Sequence, residues 1–263
     1  SEFWQWAFHP TVLEALCRFR EALLEDCTTD ARIALRGIVL GALHGPKQKT
    51  FPSYFSNQCP RTYAPKPAYA TRFWKGRGLV PEPVDVLAVI ERRAKRYYGT
   101  SSDITGAVRL ADSREAEALQ PEMPETRFDW VITSPPYYGM RTYIPDQWLR
   151  NWFVGGPDAV GYTNRDQVVH SSPEDFAADL RQVWRNVENV CAEDAKMVIR
   201  FRGITDRRAD PLDLIKSSHS DSGWRITTIR EAGSATEGKR QADAFLRTKT
   251  TPLVEYDVWA TRQ

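Results

Sequence analysis

The segment Trp130–Tyr137 constrains this chain more than any other, because there an apolar β-type run ends on two consecutive prolines. Trp130-Val131-Ile132-Thr133 is short, aromatic and β-branched, the composition of a strand buried on both faces of a parallel sheet. Pro135 and Pro136 bring no N–H to a ladder and fix φ, so the strand stops and the backbone beyond it presents acceptors alone. Open α/β sheets bind ligands outside the carboxyl ends of their strands, which makes Ser134-Pro135-Pro136-Tyr137 the first place to look for chemistry.

Such a turn suits a planar base carrying an exocyclic amine. The amine is a poor nucleophile while its lone pair is delocalised into the ring. The Ser134 hydroxyl and the Pro135 carbonyl, aimed at its two hydrogens, pull it towards tetrahedral geometry and free the lone pair. Tyr137 then stacks on the face of a base taken out of the duplex, a contact worth about 1–3 kcal/mol.

The elements around this turn alternate. Thr11-Val12-Leu13-Glu14 reads as a capping box before a helix with Val12, Leu16, Phe19 and Leu23 on one face. A second helix follows Asp30, with Gly37, Gly41 and Gly45 spaced for close packing, and the opening Ser1-Glu2-Phe3 is given no structural role. Lys47 to Pro83 reads as an irregular surface loop and Val84 to Tyr98 as a helix. After Gly99 come a strand at Val108–Ala111, a short helix at Ser113–Leu119, the strand ending at Thr133, and a helix capped by Ser172. A strand at Met197–Phe201, a helix capped by Asp210, and strands at Trp224–Ile229 and Val254–Ala260 complete the order. The expectation is an α/β fold: residues 1–99 form a helical region with a basic and aromatic loop, and 100–263 an open sheet whose final strand is antiparallel.

The formal charge is only +2, so attraction to nucleic acid has to come from local clustering. Between Arg61 and Tyr98 nine basic residues face three acidic ones, with Tyr63, Tyr69, Phe73, Trp74, Tyr97 and Tyr98 interleaved. Arg61, Lys66, Arg72, Lys75 and Arg77 are candidates for phosphate contacts, and a solvated basic face is the plainer alternative. The four cysteines, Cys17, Cys27, Cys59 and Cys191, lack ligand spacing, so neither a disulfide framework nor a metal site is expected. Without a long apolar span or a signal segment, a cytoplasmic protein is expected.

Asp129-Trp130-Val131-Ile132-Thr133-Ser134-Pro135-Pro136-Tyr137 resembles motif IV of the N4-cytosine and N6-adenine DNA methyltransferases, which use S-adenosylmethionine. The resemblance implies a Rossmann-like methyltransferase sheet and methylation of a flipped base. Serine at position 134 resembles the N4-cytosine group, and adenine N6 is the alternative. Asp112 matches the acidic position that meets the adenine of the donor, with Ser113 and Thr133 beside it. Tyr138 to Arg141 are expected to form a flexible rim, and Arg141, Arg247 and Lys249 to face the DNA.

One family landmark has no counterpart. The strand and glycine-rich turn that hold the donor are missing, and the single Gly-x-Gly, Gly76-Arg77-Gly78, follows no apolar strand. The resemblance covers about residues 106–262. The missing half is expected from a second chain or from a segment before residue 1, or else the chain is a catalytically silent relative that binds DNA or a partner.

Overall fold

The computed structural model describes residues 1–46, 51–56, 58, 66–100, 106–121, 125–140, 143–162, 171–203, 209–234 and 254–263, which divide into two compact units. The first is helical, with its described residues in the stretches up to 104 and from 142 to 164. It holds α1 (Glu2–Ala7), α2 (Pro10–Glu25), α3 (Asp30–Ala42), α4 (Pro67–Lys75), α5 (Val86–Tyr98), α6 (Tyr143–Asp146) and α7 (Trp148–Phe153).

Its core is aromatic. Trp4 and Trp152 lie 4.4 Å apart between ring centres, Phe3 and Trp148 4.9 Å, and Phe3 and Trp74 5.6 Å. The opening residues therefore have the structural role denied to them above: Phe3 is buried and α1 carries it into the core. The capping box at Thr11 is also corrected. α2 starts at Pro10, a residue preorganised for the first helical position, and the His9 side chain accepts from the Thr11 N–H.

The loop expected over 47–83 contains α4. Pro67 opens that helix, and Ala70 and Trp74 fall four apart on its buried side. Gly37 and Gly41 are exposed, so close helix packing does not explain them. Gly45 is the tight one, because a Cβ there would strike the Tyr54 ring at 2.4 Å. α5 begins as expected, with the Asp85 carboxylate accepting from the Ala88 N–H at 3.0 Å.

Among its described residues the second unit is a four-stranded sheet with two α-helices. Its strands β1 (Phe128–Thr133), β2 (Cys191–Phe201), β3 (Trp224–Ser234) and β4 (Val254–Arg262) stand in the order β1-β2-β4-β3. β1 and β2 are parallel, with Thr133 opposite Ile199, and β4 runs antiparallel to both of its neighbours. The expected α/β class and the antiparallel final strand are both seen.

Helices α8 (Pro173–Glu188) and α9 (Pro211–His219) cover one face. Phe176, Leu180, Trp184, Leu214 and Ile215 pack there against Met197, Ile199, Phe201, Val258 and Ala260. The Trp184 indole donates to the Ser218 hydroxyl at 3.0 Å, and the Trp224 indole donates to the Trp184 carbonyl at 3.1 Å, so both buried indoles are satisfied. The caps match expectation: the Ser172 hydroxyl accepts from the Asp175 N–H, and Asp210 from those of Leu212 and Asp213.

Three expectations fail in this unit. β1 was read as buried on both faces, yet it is an end strand of the sheet, and Phe128, Trp130 and Ile132 are 44%, 50% and 80% exposed. Alternation points those three away from α8 and α9, and no described helix covers their side. Val108–Ala111 is not a strand. A strand needs a neighbour to take its hydrogen bonds, and here Val108 and Leu110 stand fully exposed. The helix expected at Ser113–Leu119 shrinks to a 3₁₀ turn, Ala116–Leu119. Among the described residues no helix is long and apolar enough to cross a membrane.

Candidate base-binding site

β1 delivers its turn to the carboxyl end of the parallel pair. Ser134 follows Thr133 and is exposed, Pro135 is buried, and Pro136 and Tyr137 are half-buried. Burial of Pro135 fixes the turn to the sheet while leaving the Ser134 side chain outside. A second turn follows, in which the Met140 N–H donates to the Tyr137 carbonyl at 3.0 Å and Gly139 adopts φ +82°, a conformation that suits glycine.

Tyr137 is held on two sides. Phe201 meets its ring steeply, at 5.7 Å and 76°, and the Arg202 guanidinium lies 4.9 Å from its centre. Tyr138 is buried, with its ring centre 5.5 Å from that of Phe176. The flexible rim expected over 138–141 is corrected for that residue, because an aromatic facing a helix core does not move freely. Arg141 lies outside the described residues.

Sequence reasoning missed Arg202 and Glu255, whose Arg202 Nε to Glu255 Oε1 distance is 3.4 Å. They come from the ends of β2 and β4, which the antiparallel register, with Phe201 opposite Tyr256, brings alongside. The only signal available was a basic residue directly after a strand.

The donor-side candidates are placed differently. Asp112 accepts from the Arg114 guanidinium on both carboxylate oxygens and from the Arg114 N–H, and this holds its carboxyl down to about 2. Arg114 also reaches Asp179 of α8 at 3.1 Å. The Ser113 carbonyl accepts from Asn186, near the end of α8 that leads into the start of β2. That end of the sheet is opposite to Ser134, so the structure brings Ser134 to Tyr137 together but does not bring Ser113 to them. Thr133, the last residue of β1, is half-buried.

These residues do not fit S-adenosylmethionine by themselves. The Asp112 carboxylate is already taken by a guanidinium, and Gly76-Arg77-Gly78 leads out of α4, with no strand before it.

The basic candidates belong to the helical unit. Lys66, Arg72, Lys75 and Arg77 are exposed on or beside α4. Lys75 pairs with Glu2, and the Arg77 guanidinium sits 3.9 Å from the Phe73 ring centre. Trp74 is buried, and so leaves the set of interleaved aromatics, while Tyr69, Tyr97 and Tyr98 are open to solvent. Arg61, Tyr63, Arg247 and Lys249 lie outside the described residues. Trp148 and Trp152 are core residues of the helical unit.

No family model matches the sequence, and no curated protein does. Among solved structures, a chain of Thermus thermophilus, described provisionally as a DNA modification methylase, is similar over 59% of this chain at 19% identity, with a TM-score of 0.32. This chain spans 52% of that one.

Proposed function

We propose that this chain is the base-binding part of a DNA amino-methyltransferase with a Rossmann-like sheet, acting on cytosine N4, with adenine N6 as the alternative. One observation carries the reading. A double-proline turn is pinned at the carboxyl end of β1 by the burial of Pro135, with Ser134 exposed and Tyr137 braced beside it. Ser134 and the Pro135 carbonyl accept from the amine, and Tyr137 stacks on the extruded ring. No titrating base is needed, because the proton can leave to water.

S-adenosylmethionine is the methyl source that the resemblance implies. Of the three donor-side candidates only Thr133 lies beside Ser134, since Asp112 is held by Arg114 and Ser113 stands at the other end of the sheet. The strand and glycine-rich turn that the sequence lacks would come from another polypeptide segment along the edge of β1 that no described strand pairs, since an unpaired strand edge recruits a strand. Double-stranded DNA is held, in this reading, by the exposed basic residues on and beside α4 together with Arg61, Arg141, Arg247 and Lys249.

The test is to incubate the chain with labelled donor and mixed-sequence duplex, alone and with adjacent gene products, and to identify the modified nucleoside. N4-methylcytosine is expected, and Ser134→Ala and Tyr137→Ala should each abolish it without loss of fold. Normal transfer by both variants overturns the site. The occupied Asp112 carboxylate favours a second reading, a silent relative that binds DNA or a partner. Absence of label under every condition, with DNA binding intact, would select it.

A further inference from the structure

We propose that Arg202, braced by Glu255, is a positioning residue that fixes the stacking face of Tyr137. The inference rests on the base-binding reading above and deepens it. A tyrosine that receives a planar ring has to be held at one angle before the ring arrives, or the ordering cost falls on binding.

Arg202 can supply that restraint. Its flat guanidinium lies over the phenol ring at 4.9 Å, a separation at which a cation is attracted to the ring face, while Phe201 closes in steeply at 76°. Arg202 Nε lies 3.4 Å from Glu255 Oε1, an ion pair without hydrogen-bond geometry, and both side chains are about three-quarters buried, with 24% and 22% of their surface exposed. Residues from three strand ends are thus linked in a chain: Tyr137 lies in the turn after β1, Arg202 follows β2, and Glu255 is the second residue of β4. The neighbouring arginine does not compete, because Arg200 is engaged by both oxygens of Asp257 at 2.9 Å. In this proposal the guanidinium backs the phenol ring, the incoming base stacks on that ring, and Glu255 offsets the positive charge. Lysine cannot replace it, because an ammonium has no plane to lay on the ring.

The geometry separates positioning from simple attraction of DNA phosphates. Glu255→Gln removes a negative charge, so attraction alone predicts tighter binding, whereas loss of the brace predicts weaker binding. Arg202→Lys keeps the charge and loses the flat contact.

The probe is a short single-stranded oligonucleotide carrying one 2-aminopurine, whose fluorescence falls on stacking, titrated into the full chain at fixed ionic strength. Tyr137→Ala should lose the quench. Arg202→Lys and Glu255→Gln should each weaken probe binding by about tenfold, with a thermal midpoint near that of the parent; a tenfold change corresponds to about 1.4 kcal/mol. Arg202→Ala should weaken it at least as much, and if that variant fails to fold, the lysine and glutamine variants decide the matter. Parental affinity in Arg202→Lys, or tighter binding in Glu255→Gln, overturns the positioning role while leaving the base-binding reading in place. An undiminished quench in Tyr137→Ala overturns the base-binding reading itself.

Discussion

Asp112 surrenders both carboxylate oxygens to Arg114, and the consequence can be measured with acid. Its folded carboxyl sits at about 2, below the ordinary value near 3.9, so the folded state binds the proton less readily than the unfolded chain. The stability contributed is complete above about pH 4 and is lost as pH falls towards 2. Asp112→Asn should therefore lower the unfolding midpoint at pH 6, and the gap from the parent should close by about pH 2. A gap that stays constant with pH would mean the ion pair contributes nothing. Residues were legible where their chemistry is local. The proline pair shows where β1 ends because prolines stop strands, and Asp210 and Ser172 announce their helices. The Arg114–Asp112 pair was not readable, because the direction of Arg114 depends on Asp179 on another element.

Helices α8 and α9 owe their starts to side-chain oxygens and their hold on the sheet to a few large side chains. Asp210→Ala leaves the Leu212 and Asp213 N–H groups without their acceptor and should cost about 1 kcal/mol in urea unfolding. Trp184→Ala empties a site that is 2% exposed and leaves the Ser218 hydroxyl without its indole donor, so about 3–5 kcal/mol is expected from the same measurement. On α4, under the proposed DNA role, Arg72→Gln should flatten the salt dependence of DNA binding by about one unit of log–log slope. Lys75→Gln should do less, because Glu2 already neutralises Lys75. Elements with a cap and a 3.6-residue period were read correctly, as α5, α8 and α9 were. α1 and α4 were missed because they are short and are fixed by aromatic contacts to distant residues, Phe3 and Trp74 meeting each other at 5.6 Å. The strand expected at Val108 was misread because apolar alternation marks a strand only where a neighbour exists to pair with it.

At the scale of the molecule, the sheet has one covered side and one open side. Ile132 is 80% exposed on the open side, so Ile132→Lys should leave urea stability within about 0.5 kcal/mol of the parent. Sedimentation velocity over a concentration series should show Ile132→Lys no more self-associated than the parent, since a charge on an edge strand opposes pairing between copies. Unchanged association would mean that this edge is not what brings molecules together. The alternation of elements could forecast an α/β sheet but not which of its strands lies at the rim, because order across a sheet is decided by pairing and not by position in sequence. The same disparity governs how the sheet is made. β4, fourth in the chain, stands between β2 and β3 and is the only described neighbour of β3. Ribosomal synthesis therefore delivers β4 after the three other described strands, and until residues 254–262 emerge, β3 has no described strand to pair with and β2 has one side bare. A nascent chain stalled before that point would be a natural client for chaperones.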